Sequence, residues 1–306
     1  MKVIVADDDP TTRVVLVSLV EKLGHDAIEA VDGFAAWDAY TAVEGPCLLL
    51  LDWEMPGLDG MQLCQKVKRA SRLNPPYCIL ITGKNRIEDL VAGLNSGADD
   101  YICKPFNATE LMARMQVAVR TLGLLHELHQ MRQALNYQAT HDELTGLLNR
   151  RAVMQALTKE AQRSERLGRE FYLAICDLDD FKQVNDNYGH TSGDLVLQAV
   201  ARFMSGLLRK YDLVGRYGGE EFVIAISDER PNAEQVFKRL LEGIARQPIS
   251  IEQGKTLNVT MSIGVSCDAG QLSEARILEM LAEADRRLYQ AKAAGKNQIV
   301  MADLPC

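Results

Sequence analysis

Acidic residues close two apolar runs near the start of the chain, where they suggest metal or phosphoryl chemistry. Asp7 and Asp8 follow KVIVA, and Asp52 follows CLLLL. If both runs are strands of one parallel sheet, their carboxyl ends lie at the same edge and the three carboxylates converge. Carboxylates at close range repel one another unless a cation joins them, and oxygen ligands suit Mg²⁺. The sequence therefore predicts a divalent-cation site at this edge.

Two later runs end on residues that complement such a site. YCILIT ends on Thr82, and YIC is followed by Lys104. A hydroxyl and an ammonium beside a cation form a cradle for a phosphoryl group on a carboxylate. Any one of these residues alone would be unremarkable, but all of them at successive strand ends are not expected by chance. Asp9 is instead assigned a structural role, because Asp before Pro10 is typical of a helix N-cap.

A second group of acids surrounds the stretch RYGGEEFVIAIS. Gly218-Gly219 is predicted to be a two-residue hairpin turn, and Glu220 and Glu221 begin the strand that follows. Asp177 closes another apolar run, FYLAIC. If the two strands are neighbours, Asp177 and Glu220 meet and again favour a divalent cation.

Basic residues lie near these acids in the sequence pattern. The turn DDFK after Asp177 offers backbone N–H groups for phosphates, with Lys182 beside them. Lys292 and Lys296, in AKAAGKN, are able to reach the same charge. The alternative for this pair is an ordinary role as cations at a helix C-terminus before a glycine cap, and spacing alone favours that alternative.

The elements that must position these residues divide the chain into two halves. In the first, short apolar runs alternate with helical patterns, which predicts a doubly wound parallel α/β domain. The second half is predicted to be a mixed α/β domain with at least one hairpin. The predicted helices are Thr11–Leu23, Phe34–Ala42, Gly60–Ala70, Glu88–Ser96, Ala152–Leu167, Asp194–Leu208, Ala233–Ala245 and Leu272–Ala294.

Between the halves, residues 107–138 contain no proline and a single glycine, which favours one long helix. Its apolar positions recur in steps of three and four, at 111, 115, 118, 122, 125, 128, 131 and 135. Such a stripe suits either a helix packed on its own domain or a stalk that pairs with a second copy. The length without a break favours the stalk.

Composition limits the functional class. The 306 residues carry a net charge of −8, which argues against a general nucleic-acid binder. The seven cysteines show no CxxC spacing and suit a reducing compartment. No signal peptide opens the chain, and no apolar run approaches the ~18 residues of a membrane span. We expect a cytoplasmic protein without membrane or nucleic-acid partners.

The first constellation resembles that of a response-regulator receiver domain, with its flavodoxin-like five-stranded sheet, over residues 1–121. The resemblance implies that Asp52 accepts a phosphoryl group from a sensor histidine kinase. It implies Mg²⁺ ligands in Asp7, Asp8, Asp52 and the backbone carbonyl of Glu54. It also implies a phosphorylation-dependent switch that involves Thr82, Tyr101 and Lys104.

The second constellation resembles a GGDEF-type diguanylate cyclase domain, with a nucleotide-cyclase-like fold. Four motifs carry the resemblance: DELTGLLNRR (142–151), DLDDFKQVNDNYGHTSGD (177–194), GGEEF (218–222) and ADRRLYQAKAAGKN (284–297). It implies Mg²⁺ or Mn²⁺ held by Asp177, Glu220 and the Leu178 carbonyl, and proton removal by Glu220 or Glu221. The implied substrate-binding residues are Phe181, Lys182, Asn185, Asp194, Gly218, Gly219, Lys292 and Lys296.

Within that set, Asn185 and Asp194 are implied to read guanine, and the three lysines to meet phosphates. The family usually has Arg where Lys296 stands, which replaces a bidentate fork by a point charge. The resemblance predicts domains at 1–121 and 139–306 with a helical, coiled-coil-like linker at 122–138.

The function implied is a phosphorylation-activated enzyme that condenses two GTP into cyclic di-GMP and pyrophosphate, as a dimer or larger homo-oligomer. Upstream of the glycines, RKYD resembles a product-inhibition site with Arg209 and Asp212. Two alternatives remain at this stage. One is a catalytically silent sensor of GTP or cyclic di-GMP; the other is a cyclase that also uses ATP, against which Asp194 argues because adenine lacks the N1–H donor.

Overall fold

A computed structural model of the chain describes residues 1–70, 75–83, 87–270 and 272–302, without the side chains of residues 87–90 and 253. The chain divides into two compact units, Met1–Ala134 and Leu135–Cys306. The predicted end of the second domain at residue 306 lies outside the described residues. Among the described helices, none has a stretch long and apolar enough to span a bilayer.

The first unit is built around a five-stranded, all-parallel sheet of order β2-β1-β3-β4-β5. Its strands are β1 Lys2–Ala6, β2 Asp26–Ala30, β3 Cys47–Asp52, β4 Tyr77–Thr82 and β5 Asp100–Cys103. Its helices are α1 Pro10–Lys22, α2 Gly33–Ala42, α3 Gly60–Arg69, α4 Ile87–Asn95 and α5 Ala108–Thr140. β2, with the sequence DAIEA, has no apolar run because it is an edge strand and only partly covered.

Helices cover both faces of this sheet, which confirms the doubly wound architecture. Leu16 of α1 and Leu111 of α5 pack with Val3 and Val5 on one face. Tyr40 of α2 and Leu63 of α3 pack against the opposite face. Because β3 and β4 are buried between two helical layers, they are continuous apolar runs rather than alternating ones.

The second unit contains a mixed five-stranded sheet of order β12-β11-β6-β8-β7, in which only the β11–β12 pair is parallel. Its strands are β6 Phe171–Leu178, β7 Leu213–Gly218, β8 Glu221–Ser227, β11 Met261–Asp268 and β12 Ile299–Val300; β9 Ile249–Ser250 and β10 Thr256–Leu257 form a separate hairpin. Its helices are α6 Arg150–Arg166, α7 Phe181–Tyr188, α8 His190–Leu207, α9 Arg230–Arg246 and α10 Glu274–Ala293.

The central strand of this unit, β6, is buried along its whole length. Alternate residues of β6 and β8 face different helices. Phe222 and Ile224 pack with α8 and α9, whereas Val223 and Ala225 pack with α6 and α10. This period-two division, expected for a strand buried on both faces, determines which acids at the strand ends share a side.

The apolar stripe of α5 divides into two parts. Leu111, Met115, Ala118 and Leu122 are buried in the first unit. The exposed part, hereafter the α5 stripe, is the run of apolar residues that are 46% to 65% exposed: Leu124, Leu125, Leu128, Met131 and Leu135. The first segment of α5 thus packs on its own domain, as one interpretation predicted, and the apolar residues of the second segment are exposed.

Candidate functional site

Lys104 lies between two carboxylates at the carboxyl edge of the first sheet. Its Nζ is 2.9 Å from Asp7 Oδ2 and 3.0 Å from Asp52 Oδ2. One carboxylate oxygen from each of Asp7, Asp8 and Asp52 lies within 4.8 Å of the other two. Thr82, buried at the end of β4, accepts the Lys104 backbone N–H at 2.7 Å through its carbonyl. The structure therefore brings these five predicted residues together.

The electrostatics of this edge favour a cation. Burial raises the pKa of Asp52 above its usual value even though the Lys104 ammonium opposes the shift. Burial lowers the pKa of Lys104, but its hydrogen bonds to Asp7 and Asp52 outweigh that effect and the net shift is upward. Three carboxylates therefore face one ammonium, and an all-oxygen donor set of this kind fits Mg²⁺.

Other residues predicted for the first site occupy its surroundings. Asp9 caps α1 and accepts the backbone N–H groups of Thr11 at 3.3 Å and Thr12 at 2.9 Å, which agrees with its assignment to structure. Glu54 is exposed and, with Asp8, lines an open cavity of about 430 Å³. Tyr101 is half-buried in β5.

The hairpin between β7 and β8 corrects the predicted turn by one residue. The two turn residues are Gly219 and Glu220, whereas Gly218 is the last residue of β7 and pairs with Glu221. Gly219 takes a left-handed backbone with φ of +29°. The register shifts between Arg216 and Gly218, and this bulge moves the turn towards the glutamates.

As a result of this register, Asp177 of β6 pairs directly with Glu221 rather than with Glu220. Glu220, in the turn, is not paired with Asp177 in the sheet, but its carbonyl accepts the backbone N–H of the adjacent Leu178. Burial raises the pKa of Asp177, and the charges of Glu220 and Asp179 add to it against the opposing Lys292 ammonium. Burial and then the charge of Asp177 raise the pKa of Glu221. Both glutamates therefore belong to one electrostatic cluster with Asp177.

Lys292, near the end of α10, lies with its Nζ 2.8 Å from Asp177 Oδ1. Its role is thus not limited to the C-terminus of its own helix, the alternative that spacing alone favoured. The Asp177 and Glu220 carboxylates and the Leu178 carbonyl are all oxygen donors, the ligand type that Mg²⁺ and Mn²⁺ prefer. The Glu220 carbonyl also accepts the Leu178 backbone N–H at 3.4 Å, which holds the turn to the end of β6.

The predicted guanine-contacting residues lie on two consecutive helices, α7 and α8. Gly193 of α8 explains their approach, since a Cβ there would lie 2.0 Å from Asn185 Oδ1 and 3.2 Å from Phe181 Cζ. Asn185 therefore lies directly against the helix turn that carries Asp194. Asp194 is exposed and Asn185 half-exposed, so both side chains remain accessible to a ligand.

Lys182 and Lys296 flank the same turn. Lys182 is exposed on the first turn of α7. Lys296 Nζ lies 2.7 Å from Asp180 Oδ1, in the residue that precedes α7. The resemblance to the family implied that both lysines meet phosphates, and the structure places both beside the backbone that leads into α7.

The predicted product-inhibition residues are engaged with each other and with the strand β8 terminus. Asp212 accepts the Arg209 backbone N–H at 2.8 Å, and burial raises the pKa of this carboxyl. The Arg209 guanidinium turns elsewhere: Nη1 donates to Asp228 Oδ2 at 2.8 Å and to the Tyr211 hydroxyl at 2.9 Å.

Three residues around the site were not assigned a role from sequence. Arg216 joins Asp142 to the β7–β8 hairpin, Gly193 makes room for Asn185, and Asp179 accepts hydrogen bonds from two distant segments. Gly193 lies within the quoted motif DLDDFKQVNDNYGHTSGD, and Asp142, the partner of Arg216, lies within DELTGLLNRR. These motifs could have drawn attention to both positions. Nothing local signals the partners of Asp179, because they are remote in sequence.

A receiver-type acidic edge lies in the first unit, and a glycine-glutamate hairpin beside a strand-end aspartate lies in the second. The chain belongs to the GGDEF family: the family model described as "Diguanylate cyclase, GGDEF domain" matches residues 139–298. A second model, "Response regulator receiver domain", matches residues 3–116. Both resemblances drawn from the motifs are thereby confirmed.

Individual relatives agree with this membership. The response regulator PleD of Caulobacter vibrioides is 31% identical over 255 residues, which cover 83% of this chain and 56% of PleD. The structure of the diguanylate cyclase SiaD of Pseudomonas aeruginosa, in complex with its activator SiaC, matches at 35% identity and a TM-score of 0.51, over 63% of this chain and 74% of SiaD.

The coiled coil and GGDEF domain of DgcB from Caulobacter crescentus, in complex with c-di-GMP, matches with a TM-score of 0.56 at 25% identity, over 63% of this chain and 99% of DgcB. The chain spans only about half the length of PleD.

Proposed function

We propose that this protein is a diguanylate cyclase that joins two GTP molecules into cyclic di-GMP with release of pyrophosphate. The observation that carries the proposal is the cluster of Asp177, Glu221 and Lys292 at the end of β6, beside the α7–α8 pair that presents Asn185 and Asp194. Carboxylates and a lysine at the end of β6, with the exposed hydrogen-bonding groups of the following helices, support the binding of a guanine nucleotide.

The residues of the chain would divide the work as follows. Asn185 and the Asp194 carboxylate bind the guanine edge, which offers N1–H and N2–H donors, and this chemistry favours GTP over ATP. Lys182, Lys292 and Lys296 hold phosphate oxygens, while Phe181, Gly218 and Gly219 let backbone approach the triphosphate. The Mg²⁺ or Mn²⁺ held by Asp177, Glu220 and the Leu178 carbonyl supplies charge neutralisation when it is bound.

In the reaction, the 3′-oxygen of each GTP forms a bond to the α-phosphorus of the other, and the two bonds close the ring. The bond from that phosphorus to the β-phosphate oxygen breaks, and pyrophosphate leaves with the electron pair. The hydroxyl proton passes to Glu220 or Glu221. Glu221 fits this role through its raised pKa, and Glu220 through its position in the turn.

Because each domain holds one GTP, two domains must face each other, and we propose that receiver phosphorylation promotes this pairing. Asp52 would accept a phosphoryl group from a sensor histidine kinase in the cytoplasm, with a divalent cation held by Asp7, Asp8, Asp52 and the Glu54 carbonyl. Thr82, Lys104 and Tyr101 would respond to the added charge. The exposed α5 stripe supports pairing with a second copy, which raises the effective concentration of the catalytic domains.

The test is incubation of the purified chain with GTP and Mg²⁺, with and without beryllofluoride as a phosphoryl mimic, and identification of the nucleotides formed. We expect cyclic di-GMP in both conditions and a higher rate with the mimic. Asp52→Asn is the matched control, and its rate should not respond. Absence of dinucleotide in every condition would favour the silent-sensor alternative, and equal rates in the wild type would reject the switch.

A further inference from the structure

Asp179 is a buried carboxylate that joins three separate chain segments. It follows the end of β6 and is 7% exposed. Its oxygens accept Ser262 Oγ at 2.7 Å, Thr260 Oγ1 at 2.7 Å and the Asn297 backbone N–H at 3.0 Å. Its own N–H donates to the Thr260 carbonyl at 2.9 Å. The end of β6, the start of β11 and the segment after α10 therefore meet at one side chain.

The backbone around this joint is strained. Among the described residues, the non-glycine positions with left-handed backbone are Asp180, Lys296 and Asn297, with φ of +55°, +63° and +48°. Asp180 follows Asp179 directly, and Asn297 is hydrogen-bonded to it. A left-handed backbone is least favourable for Lys296, whereas Asp and Asn adopt it more readily, and it persists where surrounding bonds impose it. Strain concentrated at one joint points to a geometry that the fold maintains for use.

The joint connects the parts of the site that would contact the triphosphate. Asp177 and Leu178 immediately precede Asp179, and Phe181 and Lys182 begin the helix that follows it. Lys296, on the other segment, is adjacent to Asn297 and pairs with Asp180. These two groups are far apart in sequence, and the bonds that Asp179 accepts hold them together along with the Lys296–Asp180 ion pair.

We propose that Asp179 is a positioning residue: it holds the turn between β6 and α7 and the turn after α10 in the arrangement that lets both contact the phosphates of GTP. The inference rests on the proposed function and adds to it a residue that touches neither substrate nor reacting atoms. All three side-chain bonds of Asp179 come from neutral donors, Ser262, Thr260 and a backbone N–H, so its contribution lies in where it holds these segments.

Ser262→Ala provides the first test, because it removes one bond to Asp179 and leaves every phosphate-contacting residue unchanged. The matched control is Ser266→Ala, which removes a buried serine bond on the same strand, to the Leu173 carbonyl at 3.2 Å, away from the joint. Binding of the α,β-methylene analogue of GTP, which cannot release pyrophosphate, is measured by calorimetry in the presence of Mg²⁺. Binding of guanosine, which has no phosphates, is measured by ligand-observed NMR.

We expect Ser262→Ala to weaken the triphosphate analogue about tenfold, the effect of about one hydrogen bond, and to change guanosine binding less than about twofold. Ser266→Ala should leave both affinities near those of the wild type, whatever its effect on the melting temperature. Asp179→Ala should weaken the analogue more than Asp179→Asn, because asparagine can still accept from Thr260 and Asn297.

Parallel loss of guanosine and analogue affinity in Ser262→Ala would overturn the positioning role in favour of a general structural one. Wild-type analogue affinity in both Ser262→Ala and Asp179→Ala would also overturn it. A wild-type chain that binds neither ligand would instead overturn the proposed function, and this inference with it.

Discussion

Nη1 of the Arg216 guanidinium donates to both carboxylate oxygens of Asp142, at 3.0 Å to Oδ1 and 3.1 Å to Oδ2. The rest of the same guanidinium donates to the Gly219 carbonyl, from Nε at 3.0 Å and from Nη2 at 2.8 Å. One side chain therefore links the segment that follows α5 to the turn that carries Glu220. Asp142 also accepts the backbone N–H of Thr145 at 2.9 Å.

Loss of the Asp142 charge should destabilise the fold in a pH-dependent manner. Burial raises the pKa of Asp142, but hydrogen bonds from Thr145 and the Arg216 guanidinium outweigh it and hold the pKa below its ordinary value. Since the folded pKa is the lower one, the stabilisation is fully present above the unfolded pKa of about 4 and is lost as pH falls through the folded value. Asp142→Asn should lose about 1 to 2 kcal/mol at neutral pH.

Urea unfolding at pH values from about 7 to about 3 measures this difference, which should shrink towards the acid end. Glu160→Gln is the control, because Glu160 forms only a 3.5 Å pair with a half-exposed Arg163 and should change stability by less than about 0.5 kcal/mol. A deficit in Asp142→Asn that does not vary with pH would contradict the assignment to this charge.

Gly193→Ala should weaken GTP binding without loss of stability. The added methyl group would lie 2.0 Å from Asn185 Oδ1 and displace that amide from its place beside Asp194. We expect KM for GTP to rise about tenfold, while alanine in a helix stabilises by up to about 1 kcal/mol. Gly206→Ala, in the same helix with nothing within 4 Å of the new methyl group, is the control and should leave KM unchanged.

Asp228 should compete with product for Arg209. The Arg209 guanidinium is held 2.8 Å from Asp228 Oδ2, so an anionic product that binds this guanidinium must replace the carboxylate. Asp228→Asn should lower the concentration of cyclic di-GMP that gives half inhibition several-fold, and Arg209→Ala should raise it. Initial rates with added product measure both effects.

Glu229→Gln is the control, because it removes a neighbouring charge that has no bond to Arg209, and it should match the wild type. Equal inhibition of all variants would exclude a role for the Arg209–Asp228 pair.

Charge placed in the α5 stripe should prevent self-association. Leu128 and Met131 are 64% and 62% exposed, and a double substitution to glutamate would put like charges in a helix–helix contact. We expect the beryllofluoride-treated chain to change from dimer or larger to monomer in sedimentation, with cyclase rate falling in parallel. Gln133→Glu, at an exposed position outside the stripe, should leave both unchanged. A monomeric wild type with full activity would refute pairing through this helix.

Hydrophobic patterning predicted the elements that are buried on both faces. The continuous runs of β3, β4 and β6 and the residues at their ends are where the sequence indicated, because burial imposes an apolar run and parallel topology then imposes a common edge. The edge strand β2 was not predicted from an apolar run, because only Ala30 of its five residues is buried.

Structural details that depend on strand register or on contacts between distant segments could not be predicted from the sequence. The bulge between Arg216 and Gly218 moves the turn to Gly219-Glu220, and propensity alone favours the two glycines. In the register between β6 and β8, Asp177 pairs with Glu221. A shift of that register by one residue would have placed a different residue opposite Asp177. The ion pair of Lys292 with Asp177 joins the end of α10 to β6, and no local pattern reports it.

The bonds of Asp179 span most of the second unit along the chain. Its partners Thr260, Ser262 and Asn297 are 81, 83 and 118 residues away. Contacts of such high sequence separation require closure of long loops, at a cost in chain entropy. A nascent chain in which Asn297 is still inside the ribosome could not form the bond from Asn297 to Asp179, so the segment that carries Lys296 would not yet be held beside the end of β6. Catalytic competence would thereby report that synthesis and folding of the domain are complete.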